Sequence, residues 1–262
     1  MNDLVILKLG GSVVTDKETP FKANHDVIYN IGRVIKEYES KYSFILVHGG
    51  GSFGHPMAKK YNVQSGLLNS SKKGFVETRK AMQELNYIVI DQLSKAKLPV
   101  VSMQPSALFM IKDKEETYNI DPIVAFLESG FIPVLYGDAV YDAEKIFSIL
   151  SGDTIIKCLS RELNPKVIIF GCDVDGLYSD DPKKNTSATF FPEIDSSFDF
   201  ASFTFDKNKD VTGGIVKKLQ EMIDITKYGK ESWIINLLSY ENLKKLLNKE
   251  IPKGTKIKGE KK

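Results

Sequence analysis

Short apolar runs alternate along the chain with stretches whose apolar residues recur at helical spacing. The runs at residues 4–7 and 43–47 are continuously apolar and lead into glycines, which is typical of strands buried on both faces of a parallel sheet. Further strands are predicted at residues 99–103, 132–136, 167–170 and 233–237, and helices at residues 27–38, 74–93, 123–127, 151–163 and 212–228. Because strands separated by helices need crossover connections, the pattern predicts an α/β fold, a three-layer αβα sandwich around a mostly parallel central sheet.

Local signals mark where several of these elements begin and end. Asn24 and Ser151 are predicted N-caps of the helices that follow them, and Asn164-Pro165 is predicted to end the second of these helices. Residues 140–141 and 146–147 flank a turn-like sequence and are predicted to pair as an antiparallel ribbon. Residues 254–257 are predicted to form an edge strand.

Length and composition exclude several classes of protein. A chain of 262 residues with 42% hydrophobic and 27% charged residues is long enough for one large domain or two modest lobes. The formal net charge of +2 gives no broad basic field for nucleic acid, so an anionic ligand must be held locally. No run approaches the roughly 18 apolar residues of a membrane span, and Cys158 and Cys172 are expected to be reduced packing residues. These features predict a cytoplasmic protein without a membrane or nucleic-acid partner.

Three glycine clusters follow strands or open helices: residues 10–11, residues 49–51 with Gly54, and residues 213–214. Glycine allows bare backbone amides to approach a ligand, and helix N-termini favour negative charge, so such clusters suit phosphate. Lys8 stands at the end of an otherwise apolar strand, where burying an ammonium group is costly without an anionic partner. The glycines and Lys8 together predict a phosphate site.

The second cluster also fits the G-x-G-x-x-G pattern of dinucleotide-binding proteins. That pattern requires an acidic residue at the end of the next strand, about 20 residues on, whereas Glu77 lies within a predicted helix. A nicotinamide oxidoreductase is therefore disfavoured. The phosphate loop G-x-x-x-x-G-K-[ST] is absent from the sequence, which excludes a P-loop kinase.

At these positions the sequence resembles the amino acid kinase superfamily and, within it, the isopentenyl phosphate kinases. The shared motifs are residues 8–12 with Lys17, residues 48–56, residues 137–138, residues 151–153, residues 173–178, residues 210–214 with Lys218, and residues 254–255. The first and last motifs are common to the superfamily, whereas the glycine loop ending in His55 belongs to this branch. His55 is therefore the discriminating residue.

The resemblance implies an amino acid kinase-like fold and ATP-dependent phosphorylation of isopentenyl phosphate, with Mg²⁺ as the metal. It also implies a homodimer and one domain over residues 1–262, with an acceptor-binding lobe at about 1–150 and a nucleotide-binding lobe at about 151–262. Mg²⁺ keeps several waters and binds largely through substrate phosphates, so no protein metal ligand is assigned.

Residue roles follow from the matched positions. The resemblance assigns catalysis to Lys8, Lys17, Asp153, Lys218 and His55, with Asp153 orienting lysines rather than abstracting a proton. The nucleotide-binding residues are Lys8, Gly10, Gly11, Ser12, Gly51, Asp173, Asp175, Gly176, Gly214 and Lys218. The residues assigned to the acceptor phosphate are Gly50, Gly51, His55 and Gly152.

Phe75, Thr78 and Met82 share one face of the predicted helix at 74–93 and are expected to wall the pocket for the prenyl tail. Ile146 and Ile149 are expected to contribute to the same pocket. Core packing is the alternative interpretation of the helix face.

Three further functions remain open from sequence: a fosfomycin-type phosphonate kinase, a carboxylate kinase of the same superfamily, and a non-catalytic nucleotide-binding regulator. A carboxylate acceptor needs no histidine at position 55, and a regulator need keep only the binding glycines.

Overall fold

The computed structural model describes residues 2–198, 214–226 and 231–259, and the side chains of residues 69 and 214–218 are outside this description. In chain order, the strands are β1 (Asp3–Leu9), β2 (Tyr42–His48), β3 (Val100–Ser102), β4 (Phe109–Lys112), β5 (Glu115–Tyr118), β6 (Ile132–Tyr136), β7 (Asp138–Asp142), β8 (Ile146–Leu150), β9 (Val167–Cys172), β10 (Leu177–Tyr178), β11 (Phe190–Phe191), β12 (Glu193–Ile194), β13 (Glu231–Asn236) and β14 (Gly254–Ile257). The α-helices are α1 (Gly11–Val14), α2 (His25–Tyr38), α3 (Gly51–Lys60), α4 (Lys72–Lys95), α5 (Pro105–Leu108), α6 (Asp121–Glu128), α7 (Gly152–Leu163), α8 (Gly214–Thr226) and α9 (Tyr240–Leu247).

The predicted three-layer architecture is confirmed. Within the described residues, the central sheet has the order β12-β14-β13-β9-β1-β2-β6-β3, and its pairings are parallel except for β13 with β14. Alternate residues of β1 enter two separate cores: Val5, Leu7 and Leu9 pack with α2, α4 and α9, whereas Leu4 and Ile6 pack with α6, α7 and α8. Helices therefore cover both faces, as the continuously apolar strands predict.

A smaller sheet of order β5-β4-β7-β8 contains the predicted ribbon, in which Tyr141 pairs with Phe147. The prediction of an edge strand at 254–257 is wrong, because β14 lies between β13 and β12. Both ends of the helix predicted at residues 212–228 lie outside the described residues.

Helix α3 was not predicted, because its sequence is rich in glycine and was interpreted as a loop. It contains Pro56, which has no N–H for the carbonyl of Ser52 four residues earlier. The backbone N–H of Phe21 donates to that carbonyl at 3.3 Å, so the carbonyl keeps a partner. A tertiary hydrogen bond thus satisfies a carbonyl that has no such partner within the helix. His55 therefore lies on a helix rather than in a loop.

The two predicted N-caps differ in outcome. The Ser151 hydroxyl accepts a hydrogen bond from the Thr154 amide at 3.0 Å, which confirms the cap of α7. Asn24 occupies the N-cap position of α2, but its side-chain amide donates to the carbonyl of Val13 at 3.0 Å instead of capping the helix. In the described part of the chain, none of the helices combines the length and apolar character needed to cross a membrane.

Candidate active site

The first two predicted glycine clusters lie at the carboxyl edge of three adjacent parallel strands, β9, β1 and β2. The Gly10 amide donates to the carbonyl of Gly171 at 3.0 Å, and the Gly49 amide donates to that of Leu9 at 3.0 Å. These bonds extend the strand pairing into both glycine loops. Open α/β sheets bind ligands at this edge, so topology alone places the loops where a ligand site is expected.

The first two glycine clusters pack directly against each other. A Cβ atom on Gly11 would lie 2.6 Å from the backbone nitrogen of Gly51, and one on Gly10 would lie 2.4 Å from the carbonyl oxygen of Gly171. Gly51 also has a φ of +45°, a conformation that residues with side chains rarely adopt. Backbone packing and conformation therefore require glycine at these positions.

Lys8 and Asp153 form an ion pair at the centre of the site. Lys8 follows Leu4 and Ile6 on the same face of β1, and this face meets the first turn of α7, where Asp153 lies. The Lys8 ammonium hydrogen bonds to Oδ1 of Asp153, and the two side chains are 11% and 3% exposed. Asp153 is thus the anionic partner that a lysine in this apolar strand requires, and it holds the Lys8 ammonium in place.

A groove of about 910 Å³ opens on one side of Lys8. This volume lies within the range of about 300–1,000 Å³ that is usual for small-molecule sites. Of the residues predicted to bind nucleotide or to act in catalysis, the groove is lined by Lys8, Gly10, Gly11, Ser12, Lys17, Gly51, His55, Asp173 and Gly176. Leu219 and Met222 of α8 also line it, so the helix that contains Lys218 borders the groove.

One other predicted nucleotide residue, Asp175, lies apart from the groove, and two more, Gly214 and Lys218, belong to α8. Asp175 is not among the groove-lining residues, and its carboxylate binds Lys253 at 2.6 Å and accepts from the Asn236 amide at 3.0 Å. These contacts, led by the Lys253 hydrogen bond, lower the pKa of Asp175. Gly214 begins α8, and Lys218 belongs to the same helix, but the Lys218 side chain lies outside the described part of the chain.

Asp173 gathers cations at the groove. Its carboxylate lies 3.1 Å from the ammonium of Lys17 and 2.5 Å from that of Lys183. Burial acts to raise the pKa of Asp173, but hydrogen bonds from Lys183, Ser12 and Lys17 outweigh it and lower the pKa to about 2. Asp173 is therefore ionised at neutral pH.

A second, smaller cavity of about 140 Å³ lies on the other side of Lys8. Of the site residues predicted from sequence, the cavity is lined by Gly50, His55, Thr78, Met82, Ile149, Gly152 and Asp153. Met82 packs so tightly on the glycine loop that a Cβ on Gly54 would lie 2.4 Å from its sulfur. The Thr78 hydroxyl is buried without a hydrogen-bond partner, so it is available to a ligand in this cavity.

Two predicted wall residues do not line this cavity. Phe75 packs against Phe147, with ring centroids 5.1 Å apart, in a small cluster beside the cavity. Ile146 is 47% exposed at the turn of the β7–β8 hairpin. The helical spacing of Phe75, Thr78 and Met82 is correct, but only the last two reach the cavity.

Lys8, Gly11 and His55 line both the groove and the cavity. Lys8 approaches the junction from the sheet, and His55 approaches it from α3. A phosphate group at this junction would face an ammonium group, backbone amides of the glycine loops and an imidazole.

Sequence reasoning missed three features near the site: the Asp138–Arg79 pair, Lys183 and His48. Asp138 lines the cavity, and the Nε atom of Arg79 lies 3.4 Å from its carboxylate. Burial raises the pKa of Asp138 although Arg79 acts to lower it. Only the Gly137-Asp138 motif signalled this pair, and nothing in the sequence indicated that Lys183 would reach the groove.

His48 is the third missed group, and it lies behind the glycine loop. Its ring is fully buried, stacks on Tyr136 with centroids 5.4 Å apart, and contacts the amide oxygen of Asn86 at 3.3 Å. Burial lowers the pKa of His48 to about 4, so the imidazole is neutral at neutral pH. Its place at the start of the glycine motif was the only sequence signal.

Among the described residues, no group of three or more His, Cys, Asp and Glu side chains is arranged to hold a metal ion. Asp153, which lines the cavity, and Asp173, which lines the groove, already bind lysines. The donor set suits a cation that is held mainly by ligand phosphates, which is how Mg²⁺ commonly binds in phosphoryl-transfer enzymes.

Comparison with known proteins identifies the family of this chain. Residues 3–236 match the model of the amino acid kinase family. The chain is 39% identical to the isopentenyl phosphate kinase of Methanothermobacter thermautotrophicus, over 98% of this chain and 99% of the relative. It is 35% identical to that of Methanocaldococcus jannaschii, over 97% of this chain and 98% of the relative.

Solved structures extend the likeness to three dimensions. A chain from X-ray structures of isopentenyl phosphate kinase superposes with a TM-score of 0.84 at 36% identity, covering 97% of this chain and 99% of that chain. Sequence and fold therefore match over nearly the full length of both proteins. A match of this extent, in sequence and in fold, shows that the chain belongs to the amino acid kinase family and, within it, to the isopentenyl phosphate kinases.

Proposed function

We propose that the protein transfers the γ-phosphoryl group of ATP to isopentenyl phosphate, giving isopentenyl diphosphate and ADP. The observation that carries this proposal is the meeting of two unequal pockets at Lys8, with an open groove of about 910 Å³ on one side and a cavity of about 140 Å³ on the other. The groove suits a nucleotide, and the cavity suits a short apolar tail. The two phosphate groups then face each other at the junction.

The chemistry requires no general base. A phosphate monoester has a second pKa of about 6, so its attacking oxygen is already anionic at neutral pH. The main obstacle is repulsion between two polyanions, which positioned cations and backbone amides reduce. Lys8, oriented by Asp153, neutralises charge on the transferring group, while His55 and the amides of Gly50 and Gly152 hold the acceptor phosphate. When bound, Mg²⁺ supplies further charge neutralisation on the ATP phosphates.

Two roles rest on the family likeness. Lys17 stabilises charge on the transferring phosphoryl group after leaving Asp173, which its ammonium contacts at 3.1 Å. Lys218, with the backbone of Gly214, binds the nucleotide phosphates from α8. Residues up to about 150 form the acceptor lobe and those after it the nucleotide lobe.

The assembly and location belong to the same proposal. We assign a cytoplasmic homodimer on the basis of the family likeness. Among the described residues, one candidate pairing surface is the edge strand β3 with the neighbouring helix α4, where Tyr87 is 74% exposed. Sedimentation equilibrium should give twice the chain mass of 29.4 kDa.

The decisive experiment is an acceptor panel with Mg-ATP, in which ADP release is followed for isopentenyl phosphate, dimethylallyl phosphate, fosfomycin and glutamate. We expect isopentenyl phosphate to give a kcat/KM at least tenfold above that of fosfomycin or glutamate. A Lys8→Met preparation, purified in parallel, controls for contaminating kinases. Preference for fosfomycin or glutamate would overturn the proposal.

A further inference from the structure

The segment that carries Lys17, residues 15–23, is a loop braced by its own contacts, and it is named here the Lys17 loop. Its two terminal residues pair as an antiparallel bridge. Within it, the Asp16 amide donates to the carbonyl of Lys22 at 2.9 Å, and the Asp16 carboxylate binds the Lys22 ammonium at 3.0 Å. The loop is therefore held together as one unit, and its placement decides where Lys17 can reach.

Ser52, in the first turn of α3, anchors this loop near both of its ends. The Ser52 amide donates to the Oγ1 atom of Thr15 at 2.9 Å, and the Ser52 carbonyl accepts from the Phe21 amide at 3.3 Å. The Phe21 ring also packs edge-on against Phe53 of the same helix, with ring centroids 5.4 Å apart. Both backbone polar groups of one helical residue thus bind the loop.

Pro56 is the reason why the Ser52 carbonyl can serve the loop. A carbonyl within an α-helix normally accepts from the N–H group of the fourth residue after it. Pro56 occupies that position and has no N–H group, so it does not compete with the Phe21 amide. Any other residue at position 56 would present an N–H group to the same carbonyl.

The backbone of Phe21 indicates that the loop depends on this anchor. Phe21 has a φ of +54°, in the left-handed region that residues with side chains seldom occupy. Such a conformation persists only where surrounding contacts hold it. The Ser52 carbonyl and the Phe53 ring are contacts of this kind, and both belong to α3.

We propose that Pro56 is a positioning residue for phosphoryl transfer. By leaving the Ser52 carbonyl to the Phe21 amide, it fixes the Lys17 loop on the helix that contains His55. The ammonium group that serves the transferring phosphoryl group and the imidazole that serves the acceptor phosphate are then carried by one connected unit. The inference rests on the proposed function, because Pro56 acts through the role of Lys17 in that reaction.

The first test examines the hydrogen bond itself. Pro56→Ala restores an N–H group in α3, which then competes with the Phe21 amide for the Ser52 carbonyl. In hydrogen exchange followed by NMR, we expect the Phe21 amide to exchange at least about tenfold faster in the variant than in the wild type. The melting temperature should change little, because the helix gains a hydrogen bond while the unfolded chain gains freedom. Unchanged exchange at Phe21 would overturn the proposal.

The second test measures the consequence for catalysis by steady-state kinetics with Mg-ATP and isopentenyl phosphate. We expect Pro56→Ala to lower kcat about tenfold, because a small misplacement of a catalytic group has effects of this size. The KM for each substrate should change by less than about threefold, as for a loss confined to the transition state. Pro56 also lines the groove, so a direct effect on the nucleotide must be separated from an effect through Lys17.

The matched control is the same substitution in a Lys17→Ala protein. There Pro56→Ala should change kcat by less than about twofold, since the group that it misplaces is already absent. An equal loss in both backgrounds, or no loss in the wild-type background, would overturn the positioning role. Failure of the wild-type protein to phosphorylate isopentenyl phosphate would overturn the proposed function and the catalytic part of the inference. The exchange measurement would still decide whether Pro56 frees the Ser52 carbonyl for the loop.

Discussion

The groove and the cavity adjoin at Lys8, but their walls are made in different ways. Lysine and aspartate side chains from separate loops surround much of the groove, and Lys17, Asp173 and Lys183 are linked there by ion pairs. The cavity is enclosed by packing, with Met82 of α4 against Gly54 of α3. One side of the site depends on charge, whereas the other depends on volume.

This contrast suits the two ligands that we propose. A nucleotide brings several negative charges, and loop lysines can change partners from a carboxylate to phosphate without repacking the core. A five-carbon tail offers only apolar surface and shape, so its recognition needs a closed wall at fixed distance. We therefore expect charge substitutions to act on nucleotide use and volume substitutions to act on acceptor choice.

The largest effect is expected at Lys8, where both pockets meet. Lys8→Met should lower kcat by roughly 10²–10³-fold, because positioned charges of this kind contribute about 3–4 kcal/mol to transition-state stabilisation. Steady-state kinetics with Mg-ATP and isopentenyl phosphate measures the loss. Turnover near the wild-type value would remove Lys8 from the mechanism.

Stability must be separated from catalysis in that variant. Lys8→Met leaves the Asp153 carboxylate, 3% exposed, without its cation, which is destabilising. The double variant Lys8→Met/Asp153→Asn removes the uncompensated charge. It should recover much of the melting temperature and none of the turnover.

The stability of the folded protein should depend on pH through His48, which is buried behind the glycine loop. The unfolded imidazole titrates near 6.5, whereas burial lowers the pKa of His48 in the folded protein to about 4. Between these pH values the unfolded chain binds a proton that the native protein does not. The contribution of His48 to the free energy of unfolding is therefore complete above pH 6.5. It declines by about 3 kcal/mol in total as the pH falls to about 4.

Urea unfolding at pH 7 and pH 4.5 measures this effect as a difference between wild type and His48→Phe, which keeps an aromatic ring beside Tyr136. The difference is needed because Asp138, whose pKa is raised by burial, changes stability in the opposite direction over part of this range. We expect the variant to lose less stability on acidification. An NMR titration that places the His48 pKa near 6.5 in the folded protein would refute the assignment independently of the variant.

His55 tests whether α3 serves the acceptor more than the nucleotide. His55→Ala should raise the KM for isopentenyl phosphate by roughly 10–100-fold, as expected for one lost hydrogen bond to a charged group. The KM for ATP should change little, and His55→Gln should retain part of the activity because it keeps a donor. If ATP use is impaired while acceptor use is normal, then the assignment of the two pockets is reversed.

The smallest effect concerns the length of the acceptor tail, for which two residues on one face of α4 are expected to act differently. Met82 lines the cavity and Phe75 does not. Met82→Ala should improve use of geranyl phosphate relative to isopentenyl phosphate, with each additional buried CH₂ worth up to about 0.8 kcal/mol. Phe75→Ala is the matched control and should alter stability more than chain-length preference. Equal shifts in preference would mean that the cavity extends to Phe75.

Prediction from sequence was most accurate where one rule decided the outcome locally. The β1 and β2 strands, the Ser151 cap and the β7–β8 ribbon each follow from composition over a few residues. It was wrong at residues 254–257, where a neighbouring strand, β12, covers the predicted edge. It also treated α3 as a loop, because the segment is rich in glycine. The Phe21 amide, which is distant in sequence, gives the Ser52 carbonyl the hydrogen bond that Pro56 cannot supply.

The sequence by itself determined the alternating α/β pattern, the glycines at the carboxyl ends of β1 and β2, and the need of Lys8 for an anionic partner. These follow from the period of apolar residues, from backbone sterics and from the cost of burying a charge. Only the tertiary structure decided that Lys183 reaches Asp173, that Met82 rather than Phe75 walls the cavity, and that His48 is buried behind the glycine loop. Each of these depends on the distance between segments remote in the chain, and hydrophobic periodicity specifies which face of an element is buried but not which neighbour that face will meet.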